Sequence, residues 1–307
     1  MEQNTPYSPL MRGPLKMRGV FGLSWQLYKR GFWPMFWFTL LLVGVIMLLF
    51  MLAAGNVLSQ AGAFEAIEKD ITPGTDDSAP LNDTAVAAVQ KFKNDVSLGS
   101  LIYAFLIIPA YTGTIFMEMD QRMEGRCGTL DQLLRYALPT GLKRYYTTFL
   151  SLLVVQIIAG IVMSIVRSIF TPILISAASI MLCSFLLSIV NTVFICLIYP
   201  VAAHEGKRAF AAVSRALKLS LKRFGRLLGA IMLGTLIVVV LLVVLLLPFV
   251  LLSYNFIDVF IGLCAGLLLW TMLIGSYAPA LCTALYVDAA ARVLDVPPEA
   301  PAQPQAS

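Results

Sequence analysis

Leu221-Lys222-Arg223-Phe224 closes a short amphipathic segment and opens a long apolar one, and the same punctuation occurs twice earlier, as Tyr28-Lys29-Arg30-Gly31-Phe32 and Leu142-Lys143-Arg144-Tyr145. A basic pair set among apolar and aromatic residues at the head of an apolar run anchors a helix at a membrane boundary. Three such heads predict one unit used three times: an interfacial helix followed by a transmembrane hairpin. The expected fold is therefore an all-α membrane protein of six spans.

Composition agrees. Of 307 residues 59% are hydrophobic and 13% charged, against about 25% charged in soluble domains, and the mean hydropathy is +0.84. The net charge of +5 reports orientation and attraction to anionic lipid in such a chain. No basic groove studded with aromatics points to nucleic acid. Cys127, Cys183, Cys196, Cys264 and Cys282 show no C-x-x-C spacing, which removes a disulfide framework and a zinc site from the expectations.

Residues 1–16, with Pro6, Pro9 and Pro14, read as a disordered tail, and residues 17–292 as one membrane domain. Phe21, Trp25 and Tyr28 recur at helical spacing, with Val20, Leu23 and Leu27 on an adjoining face, as suits a helix at headgroup level. The spans are expected at about 34–56, 98–117, 146–166, 172–202, 227–252 and 258–287, each long enough for the ~30 Å hydrocarbon core at 1.5 Å per residue. The polar segment that precedes the first span and the apolar run itself are both too long for a signal peptide, although Ala61-Gly62-Ala63 imitates a cleavage site. Residues 58–97 form an acidic external loop without the ordered spacing of a calcium loop. Pro109 predicts a kink in the second span, and Thr129 is a candidate N-cap for a second short helix that ends before Pro139. A tight turn is expected at Arg167-Ser168-Ile169-Phe170-Thr171. Residues 293–307 are proline-rich and expected to be disordered.

Arg208, Arg215, Lys218, Lys222 and Arg226 step along one helical face, with Phe210, Val213, Leu217, Leu221 and Phe224 opposite, predicting an interfacial helix with a basic stripe. Gln156 and Asn191 are candidates for an interhelical hydrogen bond, and Gly262 with Gly266 for a close helix approach. His204, the sole histidine, stands beside Glu205 at a span end, where an ordinary boundary role is expected. The hairpin ends repeat as well. Pro109, Phe116, Glu118 and Arg122 are spaced like Pro279, Tyr286, Asp288 and Arg292, while Pro200, Glu205 and Arg208 keep the order alone.

The stretch from Gly19 through Trp25, Lys29 and Arg30 to Trp33, with Ala216-Leu217-Lys218-Leu219-Ser220-Leu221-Lys222-Arg223, resembles a group of six-span bacterial membrane proteins. Some members of that group are uncharacterised; others are membrane domains fused to a glycerophosphodiester phosphodiesterase. The resemblance implies a plasma-membrane location and no established activity, and the phosphodiesterase chemistry carries over to no residue here.

With both termini in the cytoplasm, Lys69, Lys91, Lys93 and Arg167 lie outside and the other 18 of 22 Lys and Arg inside, as the positive-inside rule requires. No ionisable residue is expected deep in a span, and no nucleophile–base pair, metal motif or cofactor motif is visible. The expected function is a noncatalytic scaffold, assembly or lipid-organising protein of the plasma membrane; a transporter or permease for a small solute or lipid is the alternative. Candidate contacts for anionic headgroups, a protein partner or a second copy are Lys29, Arg30, Lys143, Arg144, Arg215, Lys218, Lys222, Arg223 and Arg226.

Overall fold

Every element is helical in the computed structural model, which describes residues 14–60, 103–170, 177–251 and 256–293. In chain order these are α1 (Met17–Arg30), α2 (Phe32–Thr39), α3 (Val45–Gln60), α4 (Ile108–Met123), α5 (Leu130–Gln132), α6 (Leu138–Phe170), α7 (Ala177–Ile195), α8 (Ile198–His204), α9 (Ala209–Lys222), α10 (Phe224–Leu251), α11 (Phe256–Ile274) and α12 (Tyr277–Val293). Among the described residues, five stretches are long and apolar enough to cross a membrane: Phe32–Leu52, Leu138–Val166, Cys183–His204, Phe224–Pro248 and Ile261–Val293. Their outward faces carry Ile157, Ile161, Ile165, Val240, Val243 and Val244, all exposed. A surface of that size and polarity matches lipid rather than water. The acidic loop falls almost wholly outside the described residues, as do the start of the expected second span at 98–102 and the tail from 294.

Proline dictates where these helices change geometry. Pro109 and Pro139 each stand second after a π-helical turn, Tyr103–Ile107 and Leu133–Ala137 respectively. The Leu138 amide bonds to Leu133 O across the second of these turns. A wide turn takes up the carbonyl that a proline ring would strike and the amide that it lacks. The expected end before Pro139 is thus corrected, because the helix passes from α5 through the π turn into α6. Two expected spans are likewise broken rather than continuous. The helix is interrupted at Cys196-Leu197 before Pro200, and at Gly275-Ser276 before Pro279. The turn expected at 167–171 is corrected in its first four residues, since α6 continues through Phe170, and Thr171 lies outside the described residues. Arg167 marks a polar boundary in the sequence but breaks no helix.

The chain forms two compact units, one drawn from Met1–Met35, Pro109–Ile237 and Ser276–Ser307, the other from Phe36–Ile108 and Val238–Gly275. In the second unit the π turn Leu40–Gly44 lies against α11, where a Cβ on Gly44 would come within 3.1 Å of the Met272 methyl. Gly262 and Gly266 are buried there.

In the first unit α1 packs on α12, and α9 on α6, α7, α8 and α12. The buried face of α1 is Val20, Leu23, Ser24 and Leu27, leaving Trp25 outward. That of α9 is Ala212, Val213, Ala216, Leu219 and Ser220, while Phe210 and Leu221 of the expected apolar face are exposed. Small residues let α9 sit closely among four helices, as where Ser220 Oγ donates to Val193 O at 3.0 Å; Phe210 and Leu221 face away. The stripe is shorter than expected too, for α9 ends at Lys222 and Arg226 belongs to α10. α4 and α6 approach closely at Gly113 and Gly141, where a Cβ on Gly113 would lie 2.7 Å from Gly141 O.

Candidate functional site

Charged side chains of the first unit gather at the ends of α4, α8 and α12, and a carboxylate organises each group. On α4, Glu118 and Arg122 are fully buried and paired at 3.0 Å. Arg122 also donates to Leu27 O at 3.0 Å and Gly31 O at 2.8 Å, while Glu118 accepts from the Gly128 amide at 3.1 Å. On α12, Asp288 pairs with Arg226 at 2.5 Å and Arg292 at 3.0 Å, and accepts from the Leu15 amide at 2.9 Å. Leu15 O in turn accepts from Arg292 at 2.7 Å and from Arg226. Leu15, within the expected N-terminal tail, is therefore bonded to Asp288, Arg226 and Arg292, as suits a buried carboxylate, which requires several donors.

The third carboxylate, Glu205, follows α8. It pairs with Lys207 at 2.7 Å and Arg215 at 3.0 Å, and accepts from Tyr286 Oη at 3.3 Å. Burial pushes this carboxyl up, but hydrogen bonds and charge from Lys207 and Arg215 together outweigh it and hold the group below the ordinary carboxylate range.

Aromatic rings fill the space between these groups. Phe116 stacks on Tyr199 with centroids 5.2 Å apart, and His204 on Tyr286 at 5.1 Å. His204 Nδ1 stands 2.7 Å from Asp120 Oδ1, off the line a hydrogen bond needs, so among the described residues neither ring nitrogen is bonded. His204 thus does more than mark a boundary: its buried ring touches side chains from α4 and α12 at once.

The nine candidate cations divide into two kinds. One arginine of each basic pair donates to a carbonyl in the last turn of a later helix: Arg30 to Arg122 O (3.5 Å), Arg144 to Ala203 O (3.3 Å) and Arg223 to Arg292 O (3.1 Å). These three carbonyls belong to the penultimate residues of α4, α8 and α12, where the negative end of the helix dipole attracts cations. Arg215 and Arg226 are taken by Glu205 and Asp288. The lysines are different. Lys29 lies 5.1 Å over the Trp25 ring, and Lys143, Lys218 and Lys222 are exposed, with no carboxylate partner among the described residues. Away from this belt, Asn191 Nδ2 donates to Gln156 Oε1 at 3.1 Å, joining α6 to α7.

Two clefts are walled by cations without an acid. One of about 440 Å³ is lined by Pro139, Thr140, Lys143, Arg144 and Arg208. The other, about 280 Å³, is lined by Arg215, Lys218, Leu219, Leu221, Lys222 and Val293. Among the described residues no group of three His, Cys, Asp or Glu side chains is placed to hold a metal ion. The arrangement supplies donors for an anion. The sequence places Arg208 on the stripe but does not show the cleft, and it matches Glu118 and Arg122 to Asp288 and Arg292 by spacing without showing their pairing.

No family model matches the chain, and no curated protein or solved structure matches it significantly.

Proposed function

We propose that this chain is a noncatalytic, six-span protein of the plasma membrane, with both termini cytoplasmic, whose basic collar holds anionic lipid headgroups and so organises lipid or an assembly around itself. The observation that carries the reading is the state of the lysines. Lys143, Lys218 and Lys222 are exposed at the ends of membrane-length helices or on the helix beside them, in clefts where no carboxylate neutralises them. Each such charge near an anionic surface is worth roughly 1 kcal/mol, and a cation left without a protein partner is available for that use.

Three repeated units are part of this reading. α1 and α9 each have 14 residues, and the residues that cap them have nearly coincident backbone angles, φ −132° and ψ 31° at Gly31, just after the first basic pair, and φ −129° and ψ 26° at Arg223, the second member of the third. The three arginine-to-carbonyl bonds support it as well, since each would tie the first helix of a hairpin to the end of its second. Parallel repeats of this kind put all three basic pairs at one membrane depth.

The test is lipid retention. Replacing Lys29, Lys143, Lys218 and Lys222 together by Gln spares every ion pair and arginine bond described above, so the protein should insert and purify normally. It should carry several-fold less anionic phospholipid through mild detergent, with the difference shrinking at high salt. Equal retention by the variant and the parent at low salt would leave the lysines as topology signals only.

A further inference from the structure

The cleft at Lys143, Arg144 and Arg208 has the features of a binding site rather than of a merely charged surface. Its cations come from separate parts of the chain, Lys143 and Arg144 from the first turns of α6 and Arg208 from the residue preceding α9. Folding thus brings three positive charges to one cavity. The nearest acid in sequence, Glu205, is occupied by Lys207, Arg215 and Tyr286. Arg144 is oriented by Ala203 O at 3.3 Å, a bond that uses one of five guanidinium donors and leaves the others for a ligand. Thr140 adds a hydroxyl at the rim. The first turn of α9 carries no acidic residue, so nothing there opposes an anion. Three like charges converging without a counter-charge repel one another, and an anion that bridges them removes that cost.

From this we infer that the cleft lined by Thr140, Lys143, Arg144 and Arg208 binds the phosphate of an anionic glycerophospholipid headgroup, with Arg144 as the oriented donor and Lys143 and Arg208 closing on the phosphate oxygens. The inference rests on the proposed lipid-binding collar and assigns one site within it. The planar guanidinium fork matches a pair of phosphate oxygens, and lysine adds a point charge. A lipid rather than a free phosphate is the occupant because α6, which carries two of the cations, continues into a membrane-length apolar stretch from Leu138 to Val166, with Leu150 and Val154 exposed along it. An acyl chain can lie along that face while its headgroup meets the basic turn.

The experiment uses the full chain in neutral detergent, titrated with phosphatidylglycerol, with phosphatidylcholine and with inorganic phosphate, and read by native mass spectrometry. The parent should bind phosphatidylglycerol in preference to phosphatidylcholine. Lys143→Gln with Arg208→Gln should weaken that binding about thirtyfold, while Lys143→Arg with Arg208→Lys should retain it. Lys218→Gln with Lys222→Gln, in the other cleft, should lower it only slightly. A parent without preference for phosphatidylglycerol would refute the collar and this site together. A parent with the preference and a Gln pair that binds as tightly would refute this site alone. Inorganic phosphate that competes at the same concentration as the lipid would overturn the assignment to a lipid. If the Gln pair does not fold, a photoreactive phosphatidylglycerol applied to the parent decides: labelling of residues 139–148 supports the site, and labelling confined to other segments refutes it.

Discussion

Removing the Arg122 guanidinium should be among the most destabilising single changes available to this protein. Arg122 and Glu118 are fully buried, and truncating one partner of such a pair leaves a charge in low dielectric, at a cost of about 3–5 kcal/mol. The backbone adds to this unequally. Gly31 O retains the Met35 amide at 3.2 Å, whereas the Gly31 amide is turned to Lys29 O, so Leu27 O loses the partner it has at 3.0 Å. Arg122→Met should therefore cost about 4 kcal/mol, the orphaned carbonyl falling within that range. Glu118→Leu with Arg122→Met removes the stranded carboxylate but leaves Leu27 O and the Gly128 amide unpaired, and should cost about 2 kcal/mol. The double variant is thus expected to be more stable than the single one. Unfolding in mixed micelles with increasing SDS, followed by circular dichroism, measures both. A single variant within about 1 kcal/mol of the parent, or a double variant worse than the single, would refute the reasoning.

Gly141→Ala places a Cβ 2.8 Å from the Thr114 amide and should cost about 1–3 kcal/mol. Gly160→Ala, with nothing within 4 Å, should be neutral or stabilising by up to about 1 kcal/mol, and equal effects in thermal unfolding would contradict the close approach. Glu205 has a folded value lowered from 4.5, so its ion pairs contribute fully above that pH and are lost as pH falls through the lowered value. Glu205→Gln should make stability less dependent on pH between neutrality and pH 3, and an unchanged difference from the parent across that range would count against the pairing. With both termini cytoplasmic, an impermeant thiol reagent on intact cells should label Asp77→Cys and spare Lys218→Cys in a cysteine-free background, and the opposite pattern would invert the orientation.

Apolar runs and proline positions carry most of the helical architecture, because each records a property of the local chain. Leu138–Val166 and Phe224–Pro248 needed only length and hydropathy to be recognised. What local reading misjudged were helix ends. Arg167 signals where an apolar slab stops, but a helix stops where a backbone hydrogen bond is lost, and those two places differ. Pro109 and Pro139 are plain in the sequence, yet the π turns that admit them depend on the preceding carbonyls and leave no compositional mark. Pairing was the least legible. The matched spacing of Glu118 with Arg122 and of Asp288 with Arg292 showed that these residues correspond, but burial and the reach of Arg122 to Leu27 and Gly31 arise only when α4 meets the end of α1. His204 illustrates the same limit: its contacts, Asp120 and Tyr286, lie 84 and 82 residues away in sequence.

The three arginine-to-carbonyl bonds bear on how freely this protein can change its length. They join residues 92, 59 and 69 positions apart, and the closure entropy of the longest exceeds that of the shortest by only about 0.4 kcal/mol. One hydrogen bond to a charged group, at about 1.5–3 kcal/mol, outweighs that difference several times over. Chain length between the fastened points is therefore nearly neutral to the fastening. The geometry at Arg30 and Arg122 is set by the helices that carry the two residues rather than by the number of residues between them, so a chain of another length between the same two helix ends could close on the same bond.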